Sequence, residues 1–302
     1  MRSVSLPAFA KINLDLRVLG TRPDGFHDLK TVFQSLALFD NVTVSARRGP
    51  LAITCDEPDI PTDRRNLAWK AASLLHRTIT GKTAAPRDIT IDLRKRVPSE
   101  AGLGGGSSDA AMTLLALNAL WRLDLDLATL SRIGARLGAD VPYFLVGGTA
   151  LGLGRGDDIY PLADLPPVHV VILRPGFGVA TADAYQWFDE EARRPSKEPA
   201  PRPIPPGWPA WSVKLRNDLE APVVRHHPVI SRIRQSLLDA GATFAAMSGS
   251  GSAVFGLFER GEAARRTAND LARPGWLSLH TRTLNRKDYA RRIGAARLFG
   301  PP

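Results

Sequence analysis

A glycine-rich loop between two segments of different periodicity constrains this chain most. Residues 101–109 read Ala-Gly-Leu-Gly-Gly-Gly-Ser-Ser-Asp. Residues 89–97 before them alternate apolar and polar side chains, as a half-buried strand does, and residues 110–120 after them are apolar at helical spacing. With Ser107 or Ser108 as the N-cap of that helix, unpaired backbone N–H groups and the positive end of the helix dipole point to one place. The loop therefore predicts an anion site, for which a phosphate is the natural ligand.

Two well-known phosphate loops do not fit these residues. Walker A requires Gly-x-x-x-x-Gly-Lys-Ser/Thr, but His76 stands where the first glycine before Gly81-Lys82-Thr83 belongs. The dinucleotide pattern Gly-x-Gly-x-x-Gly fails because Ser107 stands where its last glycine belongs. A plain turn is the alternative to an anion site, although three successive glycines cost much backbone entropy.

Length, charge and cysteine content narrow the class of protein. The 302 residues allow one large domain or two ordinary ones, and 44% hydrophobic with 23% charged residues is typical of soluble globular proteins. A net charge of +10 fits nucleic acid or small polyanions, and the scattered arginine pairs favour a polyanionic small molecule without a nucleic-acid partner. We expect no membrane association and a cytoplasmic location, because no membrane-length apolar run and no signal-peptide pattern occurs. A single cysteine, Cys55, excludes an internal disulfide.

Helical and strand patterns alternate irregularly along the chain, which predicts an α+β fold rather than a doubly wound one. We expect two units, residues 1–160 and residues 161–302. The proline-rich residues 200–211 are predicted to be a surface loop.

Polar residues in the first strand form a second candidate site. With a period of two, Lys11, Asn13 and Asp15 share one face of the strand. A lysine and an asparagine side by side on a rigid strand can hold a hydroxyl group and a phosphate oxygen. The alternative is the ordinary solvent face of a half-buried strand.

Two further segments have open interpretations. Asp140 follows a helical segment and precedes Pro142, which is typical of a cap or turn acid as well as of a candidate carboxylate. Residues 248–252 form a second glycine–serine loop between two strand patterns, which fits a tight hairpin or a second anion contact.

Three segments resemble, in the right order, the motifs of a superfamily of small-molecule kinases. These segments are residues 10–14, 98–111 and 246–255, and the superfamily includes galactokinase, homoserine kinase, mevalonate kinase and phosphomevalonate kinase. Residues 22–27, 138–144 and 215–220 are similar to one branch, whose acceptor is a diphosphocytidine-linked methylerythritol. The resemblance implies a two-lobed fold, with an N-terminal lobe like the second domain of ribosomal protein S5 and a ferredoxin-like C-terminal lobe.

The resemblance also implies the reaction. The γ-phosphoryl group of ATP would pass to the 2-hydroxyl of the acceptor, a step of the non-mevalonate route to isoprenoid precursors. Asp140 would act as the base or orienting acid for that hydroxyl, and Lys11 would lower its pKa or stabilise developing charge. Mg²⁺ would be carried on the phosphates, and no residue is assigned as a metal ligand.

Residue roles follow by matching positions. The implied ATP-binding residues are Pro98, Ser99, Glu100, Ala101, Gly102, Leu103, Gly104, Gly105, Gly106, Ser107 and Ser108. The third motif contains Ser248, Gly249, Ser250 and Gly251. The implied acceptor-binding residues are Asn13, Phe26, His27, Lys95 and Tyr185.

Two aromatic positions among these residues differ from the family pattern or have a second interpretation. Phe26 stands where the family usually has tyrosine, so a stacking face is kept and a hydroxyl is lost. Tyr185 has the alternative of being a core residue on a helix face.

Two other functions stay open at this point. One is a sister kinase acting on mevalonate, phosphomevalonate or homoserine, and the other is a non-catalytic module that binds nucleic acid or protein on the same fold. We expect a monomer or a weak homodimer.

Overall fold

A computed structural model defines residues 2–192 and 215–294 of this protein. The strands in these ranges form two sheets, and helices pack on both. This arrangement confirms the predicted α+β class. The proline-rich residues 200–211 lie outside the described residues, and the boundary between residues 160 and 161 stays a prediction.

The first sheet is built around a long antiparallel pair of strands. Its order is β3-β4-β2-β5-β6, with β1 paired to β2. Ile89, Ile91 and Leu93 are buried, as their alternation predicts. The strands are β1 (Ser3–Thr21), β2 (His27–Pro50), β3 (Ala52–Cys55), β4 (Arg87–Arg94), β5 (Thr149–Leu153) and β6 (Asp158–Pro161).

Four helices belong to this first unit. They are α1 (Leu67–Thr80), α2 (Gly105–Trp121), α3 (Leu127–Ala135) and α4 (Val141–Val146). Helix α2 is buried along most of its length, because its apolar residues face β1 and β2 on one side and the neighbouring helices on the others. Such a helix is held in place on every side, so its N-terminus is a rigid support for a binding loop.

The second sheet is entirely antiparallel, with strand order β10-β7-β9-β8. Helices between its strands give a β-α-β-β-α-β order, which is the expected ferredoxin-like pattern. The strands are β7 (His169–Arg174), β8 (Phe244–Met247), β9 (Val254–Phe258) and β10 (Leu277–Arg282). The helices are α5 (Thr181–Ala192), α6 (Glu220–His226), α7 (Val229–Asp239) and α8 (Gly261–Asp270).

The last described helix, α9 (Arg286–Ile293), returns to the first sheet. Its Tyr289 is completely buried in the core of that sheet, and the Tyr289 hydroxyl donates to the Phe144 carbonyl. Sequence periodicity did not indicate this helix, nor α4, α6, β6 and β10. They are short, and tertiary packing rather than local pattern stabilises them.

The start of α2 corrects one prediction. The helix begins at Gly105, and its N-cap is Gly104, whose φ of 74° lies in the left-handed region and which makes no side-chain cap. Ser107 and Ser108 therefore lie inside the first turn, and the prediction that one of them is the N-cap is wrong. The reason is conformational: Gly104 adopts the left-handed backbone without a Cβ penalty, so the helix can start three or four residues earlier than predicted.

Candidate active site

A cleft of about 1500 Å³ lies between the two sheets. The predicted site residues line it, except Leu103, Ser108 and Ser248, which are buried behind its surface. The structure therefore brings together side chains from strand β1, the glycine loop, α4, α5 and the second glycine–serine loop. The loop end of the cleft comprises residues 95–109 and 248–252, and the aromatic end comprises Phe26, His27, Arg155, Tyr185 and Asp189.

The glycine loop approaches its neighbours too closely for side chains. A Cβ on Gly102, which has a φ of +73°, would lie 2.0 Å from the Ser248 carbonyl oxygen. A Cβ on Gly104 would lie 2.6 Å from the Phe144 ring and 3.2 Å from Cε of Lys11. These are sites of close backbone approach, so the alternative of a plain surface turn does not describe them.

The first turn of α2 supplies donors toward the cleft. The N–H groups of Gly105, Gly106 and Ser107 begin the helix and have no carbonyl one turn earlier to bond. The Ser108 hydroxyl and Oδ1 of Asp109 are buried and have no hydrogen-bond partner among the residues described. Free backbone donors at a helix N-terminus bind phosphate well, so the loop end is chemically suited to a polyphosphate.

The second glycine–serine loop supports the first. The Ser248 hydroxyl donates to the Gly102 carbonyl at 2.9 Å, and the Asn13 amide donates to the same hydroxyl at 3.3 Å. The Ala253 amide donates to the Ala101 carbonyl at 3.3 Å. The loop thus positions the glycine loop against β1. A direct anion contact by Ser248, Gly249, Ser250 or Gly251 stays a prediction.

The polar residues of β1 are buried, which excludes the alternative of a solvent face. Lys11, Asn13 and Asp15 are each 3% exposed. The Lys11 ammonium donates to Oδ1 of Asn13 at 2.6 Å, and Nδ2 of Asn13 donates to Thr31 Oγ1 at 2.7 Å. Asp15 instead accepts from Arg17 and from the Arg216 amide, and burial raises its pKa.

Asp140 lies beside Lys11 in the cleft. Its Oδ2 lies 3.3 Å from Nζ of Lys11, and its side chain is 32% exposed. Asp140 occupies the position before α4 but makes no side-chain capping bond, so a capping role does not explain it. A buried ammonium beside a solvent-accessible carboxylate can bind a hydroxyl group, accept its proton and stabilise the charge that develops on its oxygen.

The aromatic end is organised by His27. Its Nε2 lies 2.8 Å from Oδ1 of Asp189, and its ring stacks on Tyr185 with centroids 4.7 Å apart. Burial, and then the charge of Asp140, raise the pKa of Tyr185. Phe26 is 56% exposed, and the Arg155 guanidinium lies 5.4 Å from its ring centroid. Tyr185 packs against the hydrophobic core of the second sheet and also lines the cleft. A core role and a role in acceptor binding are therefore compatible.

Lys95 lies at the loop end rather than beside His27. Its ammonium is bonded to Asp40 at 2.5 Å and to Asp109 at 2.6 Å, and its side chain is 6% exposed. Burial opposes the charged form, but the two carboxylates raise the pKa of Lys95. Burial also raises the pKa of Asp109 to about 7. The assignment of Lys95 to acceptor binding stays a prediction, although its contacts with Asp40 and Asp109 are those of a residue that positions the glycine loop.

The sequence did not indicate Asp40 and Asp189, which form hydrogen bonds with the predicted site residues Lys95 and His27. Asp40 accepts from the Lys95 side chain and from the Arg96 and Val97 amides, and so positions the entry to the glycine loop. Asp189 lies 162 positions from its partner His27. No local pattern marks such pairs. Only Asp109 could have been found, because it ends the glycine-rich segment.

Within residues 2–192 and 215–294, no cluster of three or more histidine, cysteine, aspartate or glutamate side chains could hold a metal ion. In the same ranges no helix has the length and apolar character needed to cross a bilayer.

Comparison with known proteins defines the class first. Residues 66–148 match the N-terminal domain of the GHMP kinases, and residues 210–275 match the GHMP kinase C-terminal domain. The cleft, the glycine loop and the two sheets are thus those of a GHMP kinase, a class of phosphotransferases that use ATP as the phosphate donor.

Individual relatives are more specific. The chain is 43% identical over 290 residues to a 4-diphosphocytidyl-2-C-methyl-D-erythritol kinase of Moorella thermoacetica, covering 94% of this chain and 100% of the relative. It is 41% identical to the enzyme of that name from Synechococcus sp. (strain JA-3-3Ab), covering 90% of each. A crystal structure of 4-(cytidine 5'-diphospho)-2C-methyl-D-erythritol kinase matches with a TM-score of 0.75 and 37% identity, over 93% of this chain and 99% of that one. The chain belongs to the 4-diphosphocytidyl-2-C-methyl-D-erythritol kinase family.

Proposed function

We propose that this chain transfers the γ-phosphoryl group of ATP to the 2-hydroxyl of 4-diphosphocytidyl-2-C-methyl-D-erythritol. The observation that carries the proposal is the Lys11–Asp140 pair, 3.3 Å apart in the cleft between the loop end and the aromatic end. Family membership supports the acceptor, and the donors of the glycine loop support the nucleotide. The two substrates would then meet where the partly exposed Asp140 carboxylate and the Lys11 ammonium face each other.

Asp140 receives the proton of the attacking hydroxyl or orients that hydroxyl, and Lys11 stabilises the negative charge on the oxygen. Asn13 accepts from the Lys11 ammonium at 2.6 Å and so fixes its direction. Phosphoryl transfer depends mainly on positioning and charge stabilisation, so one oriented carboxylate and one fixed cation are an adequate chemical set.

ATP enters as its magnesium complex, and its phosphates lie on residues 98–108. The N–H groups at the start of α2 donate to phosphate oxygens. Mg²⁺ travels with the nucleotide, where it neutralises phosphate charge.

The acceptor's base lies at the aromatic end, where Phe26 and Tyr185 offer ring faces and His27 offers a polar edge. Asn13 and Lys95 complete the assigned acceptor set. We further propose that the enzyme acts in the cytoplasm as a monomer or weak homodimer without a nucleic-acid partner. Its net charge of +10 then serves to attract polyanionic small molecules.

A coupled ADP-release assay over a panel of acceptors tests the function. The panel contains the diphosphocytidyl acceptor, mevalonate, phosphomevalonate and homoserine. We expect ADP release with the first compound alone, and loss of the signal in Asp140→Asn. Turnover of another acceptor in preference to the first would show a sister kinase. ATP binding without turnover, together with salt-sensitive binding to DNA or RNA, would show a non-catalytic module.

A further inference from the structure

Helix α5 holds the His27 ring from three sides. Tyr185 stacks on its face, Phe188 meets it edge-on with centroids 6.4 Å apart, and Asp189 lies 2.8 Å from Nε2. Tyr185 and Asp189 are four residues apart, so successive turns of one helix face present them together. His27 starts strand β2, and the contact therefore joins the two sides of the cleft.

The Asp189 contact determines where the neutral imidazole carries its proton. An ionised carboxylate can only accept a hydrogen bond, so Nε2 of His27 must be the donor. The proton of the neutral ring then resides on Nε2, and Nδ1 keeps a lone pair. Of the two ring nitrogens of His27, only Nε2 has a hydrogen-bond partner among the described residues, and His27 lines the cleft, so Nδ1 can accept a hydrogen bond from a ligand there.

We propose that Asp189 is a positioning residue that fixes the tautomer of His27 and so makes the site prefer an amine-bearing cytosine over uracil. The proposal rests on the function proposed above. Cytosine presents an amine donor where uracil presents a carbonyl acceptor. A lone pair on Nδ1 bonds the amine and repels the carbonyl. With the opposite tautomer, an N–H at Nδ1 would match the carbonyl instead.

A purely structural role does not account for this hydrogen bond. The Asp189 side chain is 44% exposed, and at such a position even a full ion pair contributes little to folding stability. The His27 side chain is only 10% exposed and is already confined by two aromatic rings. The carboxylate therefore adds direction to a ring that packing has already placed.

The kinetic test compares Asp189→Asn with Glu190→Gln. An asparagine amide can accept from Nε2 or donate to it, so it no longer selects one tautomer. Glu190 is the next residue of the same helix, and its contact is with Gln186 rather than His27. The measured quantity is the ratio of kcat/KM for the cytidine acceptor to kcat/KM for its uridine counterpart.

We expect Asp189→Asn to lower that ratio about tenfold, the worth of one charge-assisted hydrogen bond, while KM for ATP stays unchanged. Glu190→Gln should keep the wild-type ratio, and Asp189→Glu, which restores a carboxylate, should recover part of it. An unchanged ratio in Asp189→Asn would overturn the role of Asp189. A parallel rise of KM for ATP would identify a general structural effect instead.

A spectroscopic readout is independent of turnover. At a pH where His27 is neutral, ¹⁵N NMR of labelled enzyme should show an Nε2-protonated imidazole in the wild type and a tautomer mixture in Asp189→Asn. An Nδ1-protonated wild-type ring would overturn the proposal whatever the kinetics. Failure of the wild type to phosphorylate the cytidine acceptor would instead overturn the proposed function, and that result is seen before any variant is made.

Discussion

The two ends of the cleft present different chemical groups to a ligand. Backbone dominates the loop end: two glycine–serine loops are bonded to each other and to β1, and their charged neighbours Lys95 and Asp109 are buried. Side chains dominate the aromatic end, where Phe26 and Asp189 are substantially exposed. A phosphate chain is common to every ATP-dependent member of the class, whereas the acceptor differs. The rigid end therefore suits the shared ligand, and the side-chain end suits the variable one.

This contrast predicts that changes at the catalytic pair affect chemistry without affecting either end. Asp140→Asn should lower kcat by about 10²–10⁴, the usual worth of a general base. ATP affinity should stay within a few-fold, because Asp140 contacts Lys11 rather than the glycine loop. Steady-state kinetics and calorimetric titration of ATP measure the two effects. Near-normal kcat would exclude Asp140 from the proton transfer.

A side chain in the glycine loop should break the loop end alone. Gly102→Ala places a Cβ 2.0 Å from the Ser248 carbonyl and forces alanine into a left-handed conformation. The conformational cost is about 1–2 kcal/mol, so the Kd for ATP should rise at least about tenfold, by titration calorimetry. Gly81→Ala is the matched control, since Gly81 has a φ of +69° and no atom lies within 4 Å of its new Cβ. Normal ATP binding in Gly102→Ala would show that this loop does not hold the phosphates.

A change at the aromatic end should weaken binding of the acceptor without affecting ATP. Phe26→Ala removes an exposed ring that Arg155 covers on one side, and should raise KM for the acceptor about threefold to tenfold, as expected for one aromatic contact. KM for ATP should not change. Phe26→Tyr keeps the ring and should retain wild-type KM. An equal rise in both KM values would contradict the separation of the two ends.

The same contrast explains what the sequence could predict. Most strands and most helices follow from periodicity, and the glycine loop lies within one continuous segment, so its site was visible as a local pattern. The contacts of His27 with Asp189 and of Lys95 with Asp40 join residues far apart in the chain. Only folding brings those side chains together. The start of α2 was missed because Gly104, a residue with no capping side chain, uses its backbone freedom instead.

The smallest expected effect concerns stability rather than catalysis. Burial raises the pKa of Asp109 from 3.8 to about 7 in the folded protein. The folded state therefore binds a proton more readily than the unfolded state, so this group's contribution is fully present below pH 3.8 and is lost as the pH rises to about 7. Asp109→Asn has no titrating carboxyl at this position. Between pH 3.8 and about 7, its Tm should therefore fall less than that of the wild type, by a few degrees.

An exposed carboxylate near the aromatic end gives the matched control for Asp109. A hydrogen bond from the Phe26 backbone amide lowers the pKa of Asp24, whose side chain is exposed. Its small contribution is present above its unfolded pKa of 3.8 and is lost as the pH falls further, so Asp24→Asn should leave the interval from pH 3.8 to about 7 unchanged. Thermal melts of both variants at a series of pH values measure the difference. If Tm depends on pH in the same way in both variants, burial of Asp109 at the loop end has no effect on stability that the exposed Asp24 lacks.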